Sequence, residues 1–144
     1  MTMGKGLQLI TSGLMLLVGG MTYLLFRPTT LVLFQLLHRM GMEDWTMQWR
    51  EKVAGLHLPE FVVYSLPDGF WAAAYVMVIH ALLQGQSAKT RLIAASVIPL
   101  IGTVAEGMQA LGWAPGTFDV ADIVCMLAPL AIYAAYIYKQ SFNI

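Results

Sequence analysis

Four carboxylates and one carboxamide stand out in a chain otherwise dominated by apolar residues. They are Asp68 in "SLPDG" and Glu106, Gln109, Asp119 and Asp122 in "TVAEGMQALGWAPGTFDVADIV", residues 103 to 124. Carboxylates at the ends of apolar segments can hold a cationic head group, ligate a hard cation such as Mg2+ or Ca2+, or relay a proton. Nothing beside them supplies a nucleophile or base: there is no Gly-x-Ser-x-Gly elbow, no His-Glu-x-x-His element and no phosphate-cradling glycine loop. The sequence therefore identifies no catalytic residue. The single cysteine, Cys125, reads as a small buried hydrophobe. His80 falls about 120° around a helix from Asp68, so the two share no face and no His–carboxylate metal site is assigned. A divalent cation held by carboxylates alone is the only cofactor the residue types allow.

Each acid also has a reading without a ligand. Ser65 with Asp68 three residues later has capping-box spacing, with Pro67 in the first turn. Asp119 is placed to cap a helix starting at 120, and Asp122 would then occupy its N3 position, where the helix dipole favours an anion. Glu106 has no such account. It sits near the C-terminal end of its helix, where the dipole disfavours an anion, and about one turn inside the apolar boundary. A mid-membrane acid costs roughly 2.5 to 3.5 kcal/mol, so Glu106 is expected to have a partner or a water-filled cavity. Ser96, Pro99, Gly102, Thr103, Glu106 and Gln109 form a small or polar stripe that either faces a site or joins helices by hydrogen bonds.

The elements that position these groups are membrane helices. Apolar residues make up 58% of the 144 and charged residues 11%, against roughly 25% charged in soluble domains. A helix needs about 20 apolar residues to span the hydrocarbon. Spans are expected at about 7–26, 67–84, 91–113 and 119–138, giving an all-α integral membrane bundle of four transmembrane helices in a single domain, 1–144. Ser12, Gly13, Gly19 and Gly20 allow close approach to the first helix. That helix exceeds a secretory signal core and lacks an A-x-A-like site, so it is retained as mature structure. Pro99 and Pro129 lie inside spans, where membrane helices tolerate them. On the second helix Trp71, Tyr75 and Ile79 share the face of Asp68; on the fourth, Met126, Pro129 and Tyr133 follow Asp122.

Segment 28–66 is the one long connection. "PTTLVLFQLLHRMG" is too short to span and "EDWTMQWREKVAGL" mixes tryptophans with charges, so both read as short interfacial helices, packed across the bundle's mouth or forming a lid. Four spans put both termini on one side. Basic residues are evenly divided, with Lys89 and Arg91 in a short loop favouring cytoplasmic termini. All eight acids fall on or near the opposite face. The zero net charge and scattered basic residues exclude a nucleic-acid surface.

Glu106-x-x-Gln109, a short loop, and then Phe118-Asp119-x-x-Asp122 opening a final helix resemble the signature half of the VanZ-like family of small bacterial membrane proteins. "PDGFWAAAY" resembles that family's earlier Asp-Lys-x-x-His segment, with Gly69 at the Lys position and Ala72 at the His position. The likeness covers roughly residues 65 to 130. It implies a helical protein of the bacterial inner membrane, in a family whose founding member is linked to resistance to a glycopeptide antibiotic. Since the family's lysine is absent, this chain either has lost the basic partner of the acids or draws a replacement from segment 28–66, for instance Arg50 or Lys52.

The joint expectation is a non-enzymatic membrane protein binding a lipid or lipid-linked envelope component, with Asp68, Glu106, Gln109, Asp119 and Asp122 at the mouth of a cleft and Trp71 and Tyr75 deeper inside. Its partners would be membrane lipid, a second copy or another membrane protein. The alternatives are a small metal-dependent enzyme acting on a lipid head group, and an oligomer conducting protons or ions along the Glu106 stripe.

Overall fold

The computed structural model describes residues 4–142, all of its regular elements helical. In chain order these are α1 (Lys5–Phe26), α2 (Val32–Arg39), α3 (Glu43–Val53), α4 (Glu60–Tyr64), α5 (Leu66–Leu82), α6 (Ala88–Ala110) and α7 (Val120–Phe142). Four stretches are long and apolar enough to cross a membrane: Lys5–Phe26, Glu60–Leu82, Ala88–Ala110 and Val120–Gln140. At about 1.5 Å per residue each covers the roughly 30 Å hydrocarbon core. The expected all-α bundle with short helices between its first and second spans is therefore the observed architecture.

The second span begins earlier than the expected residue 67. α4 and α5 are one nearly continuous rod, because the Ser65 amide donates to the Phe61 carbonyl (3.1 Å) and the Gly69 amide to the Ser65 carbonyl (3.3 Å). Pro67 supplies no amide and marks the break between them. The apolar "FVVY" before Ser65 belongs to this span and not to the connection, and it lengthens the span at that end.

α5 is the central helix, packed against α1 on one side and α6 and α7 on the other. One third of the most apolar stretch of Glu60–Leu82 is buried, compared with 11% of the corresponding stretches of α1 and α7. Between helices in lipid there is little hydrophobic gain, so association depends on close packing and polar contacts, and small residues mark the approaches. Gly19 of α1 lies under Trp71 and the Pro67 carbonyl, Gly69 of α5 lies against Cys125, and Gly102 of α6 receives the Met126 sulfur. Of the small residues expected on α1, Ser12 and Gly19 are buried, whereas Gly13 and Gly20 have nothing near them. The Gln84 side chain donates to Gln8 at 3.0 Å, tying the turn after α5 to α1 at the end nearer the chain termini.

Away from the acidic end, Val76, Ala95, Tyr133 and Ile137 form the buried core, with Tyr75, Ile79, Leu92 and Leu130 packed on it. His80 meets the Tyr133 hydroxyl at 3.2 Å, so this membrane histidine is held by a neighbouring helix. The Tyr75 hydroxyl donates to the Ala94 carbonyl at 2.7 Å. That carbonyl is one residue from Ala95, whose usual amide partner is removed by Pro99.

α2 packs on α3, and α3 packs on the end of α1. Arg50 donates to the Leu24 carbonyl (2.7 Å) and lies over the Phe34 ring, and Lys52 lies over Trp49. Both cations are engaged within this cap.

Candidate functional site: an acidic cavity at one end of the bundle

α6 ends in a tight reversal. Gly112 takes a left-handed conformation (φ +69), the Gly112 amide bonds the Gln109 carbonyl (3.0 Å), and the Trp113 amide bonds the Met108 carbonyl (2.8 Å), a Schellman arrangement. The reversal carries the following loop back over the last turn of α6. Gly116 (φ +132) passes close against the Gln109 side chain, 2.7 Å from where a β-carbon would be. The Glu106 carboxylate then accepts the Asp119 amide at 3.2 Å, and the Asp119 carboxylate accepts the Ala121 amide at 2.8 Å.

This divides the acids by task. Asp119 caps α7 as its spacing predicts. In a capping box the N3 side chain would reach back to the cap residue's amide, but here Glu106 of the preceding helix occupies that position. Asp122 in the first turn of α7 is thereby left with a buried Oδ1 that has no hydrogen-bond partner. Glu106, 6% exposed, owes its burial to a specific contact across to α7. Ser96 and Thr103 bond carbonyls of their own helix, so they do not join helices.

The opposite wall corrects the capping box expected at Ser65 and Asp68. Ser65 has helical φ and ψ (−97°, −37°) and accepts no capping bond, because α4 already continues the helix through it. An N-cap requires extended backbone. Ser65 is 1% exposed, yet its hydroxyl has no partner. Asp68, one turn later, lies within electrostatic reach of Asp122, Arg27 and Glu106.

Arg27 is the basic residue of this site, in place of the expected Arg50 or Lys52. It follows α1 in extended backbone, donates to the Tyr64 carbonyl (2.8 Å), and stacks over Tyr64 (4.7 Å) and Tyr23 (5.2 Å). Its Nε is buried without a partner. A residue closing a span reads as an interfacial anchor, and only the pairing with Tyr23 one turn earlier hinted at a fixed orientation.

Together these groups line a cavity of about 720 Å³. Asp68, Glu106, Gln109, Asp119 and Asp122 all border it, so the five polar residues singled out by spacing do converge. Arg27 and Ser65 border it too, and the connection contributes Leu31, Glu60 and Phe61. Trp71 and Tyr75 do not. Trp71 is about 60° around α5 from Asp68, enough to face α1, where its ring lies 5.6 Å from Tyr23. Tyr75 lies deeper, where α6 has closed on α5. Met126 and Tyr133, on the Asp122 face of α7, are also packed against neighbours. The cleft therefore stops at its polar mouth.

Chemically the cavity's lining offers carboxylate acceptors, one guanidinium, a carboxamide and the hydroxyl-bearing residues Ser65, Thr117, Tyr23 and Tyr64. Among the described residues, no group of three or more His, Cys, Asp or Glu side chains is arranged to hold a metal ion. The one ion pair among them joins His38 and Glu43, outside the cavity. In comparisons with known proteins, the chain matches no family model, no curated protein and no solved structure.

Proposed function

We propose that this chain is a VanZ-like protein of the bacterial inner membrane that binds a lipid or lipid-linked envelope component at the acidic cavity, without catalysis, and contributes to envelope protection or signalling. Its termini face the cytoplasm, and the cavity opens towards the other side. The observation that carries the binding reading is that two residues lining the cavity, Ser65 and Asp122, each hold a buried polar atom without a partner, Ser65 Oγ and Asp122 Oδ1. An unsatisfied buried polar group costs about 1–3 kcal/mol, which a bound polar group would recover. Packing below the mouth favours a ligand whose polar part enters the bundle while its chains remain in the bilayer. The family reading rests on the Glu106-x-x-Gln109 and Asp119-x-x-Asp122 spacing.

The test is native mass spectrometry of wild type and Thr117→Trp, both released gently from membranes. Thr117 borders the cavity on a loop, so the bulky side chain fills the space without entering a helix–helix contact. A defined lipid adduct on the wild type and its loss from the variant are expected. Identical adducts on both proteins would exclude the cavity as the binding site.

A further inference from the structure

We propose that the cavity selects a zwitterionic lipid head group bearing a primary ammonium and a phosphodiester, with the ammonium on Asp68 and Asp122 and the phosphate on Arg27. This rests on the lipid-binding reading above and specifies the ligand's class.

Two of the cavity's carboxylates have backbone partners: Glu106 accepts from Asp119 and Asp119 from Ala121. Asp68, Asp122 and the exposed Glu60 at the rim remain, and of these Asp122 has a buried, unpartnered oxygen. Arg27 uses one guanidinium nitrogen on the Tyr64 carbonyl, and its buried Nε has no acceptor. The fully buried Ser65 hydroxyl, able to donate or accept, also lacks a partner. Thus the wall calls for a hydrogen-bond donor at Asp122 and an acceptor at Arg27. A simple cation would leave Arg27 unmatched, and a simple anion would face Glu60 as well as the four other acids. A zwitterion answers both ends.

The ammonium class follows from the same residues. Carboxylates bind N–H donors through charge-assisted hydrogen bonds, which a quaternary ammonium cannot make. A quaternary ammonium binds a cage of aromatic faces instead, and here Arg27 already lies over the Tyr23 and Tyr64 rings, which leaves Phe61 as the one other ring of the lining. Met126 seated on Gly102 closes the way inward, so the acyl chains lie along the outer helix faces.

The experiment uses delipidated full-length protein in detergent, titrated by native mass spectrometry with phosphatidylethanolamine, its N-methyl and N,N-dimethyl derivatives, phosphatidylcholine and phosphatidylglycerol. In the wild type, affinity should fall along the methylation series, by about tenfold from the primary to the quaternary amine. Asp122→Asn should abolish that ratio, whereas Arg27→Gln should weaken ethanolamine and choline lipids alike, since both carry the phosphate. Glu51→Gln on α3 should change neither. The methylation series needs only wild-type protein, so a variant that fails to fold leaves the test standing. Equal binding of ethanolamine and choline lipids, or tightest binding of phosphatidylglycerol, overturns the zwitterion while leaving lipid binding intact. Failure to retain any lipid removes the lipid reading itself. Soluble glycerophosphoethanolamine binding as tightly as the lipid would overturn the membrane source of the ligand.

Discussion

Glu106 illustrates how one buried acid can serve structure and site together. Its carboxylate takes the amide that begins α7 while the same residue lines the cavity. Glu106→Ala should therefore cost about 1–3 kcal/mol in reversible unfolding in mixed micelles, while Glu106→Gln, which keeps an acceptor oxygen, should cost less than about 1 kcal/mol. Equal losses would mean that the negative charge, not the hydrogen bond, is what matters. Gly116 makes a separate prediction because its backbone (φ +132) suits only glycine and its α-carbon abuts Gln109. Gly116→Ala should lose about 1–3 kcal/mol. Adding Gln109→Ala should recover only the part due to crowding, and full recovery would show that backbone strain contributes nothing.

At the scale of elements, α1 is held to the bundle almost entirely through α5, with α3 and α4 beside its end. A β-carbon on Gly19 would lie 2.6 Å from the Trp71 ring nitrogen, whereas one on Gly13 would meet nothing within 4 Å. Gly19→Leu should lower the unfolding free energy by about 1–3 kcal/mol through overpacking. Gly13→Leu on the same helix should be neutral or stabilising by up to about 1 kcal/mol, since leucine is the better helix former. The same measurement on both variants separates packing from propensity. At the start of α6, the Ser87 hydroxyl accepts the Thr90 amide at 3.1 Å, and Ser87→Ala should cost about 1 kcal/mol in thermal unfolding. No loss would mean that water already satisfies this helix end.

For the whole molecule, the alternation of four spans puts the cavity and the α5–α6 turn at opposite ends. In a Cys125→Ala background, single cysteines at Thr117 and Gln86 should be labelled by a membrane-impermeant maleimide from opposite sides of intact vesicles. Labelling from the same side would break the four-span reading. The acids gather at the cavity end because the helix order brings the end of α1, the α4–α5 rod, the end of α6 and the start of α7 together there. Arg27 reaches the same place from the end of α1.

Composition and apolar run length by themselves determined that the chain is helical, with spans close to those observed, because in lipid each backbone amide must be satisfied within its own helix. Polar spacing also marked Asp68, Glu106, Gln109, Asp119 and Asp122, since charge inside an apolar boundary is costly wherever the helix turns. Which partner each polar group finds depends instead on how the helices pack. Helical periodicity placed Trp71 and Tyr75 beside Asp68, but a central helix divides one stripe among several neighbours, and these two went to α1 and α6. Ser65 carried capping-box spacing and became a buried unpartnered hydroxyl because α4 runs through it. Arg27 became the cavity's cation because Tyr23 and the Tyr64 carbonyl hold it there, and Arg27 meets Tyr64, 37 residues away in sequence, only once α1 packs beside α4.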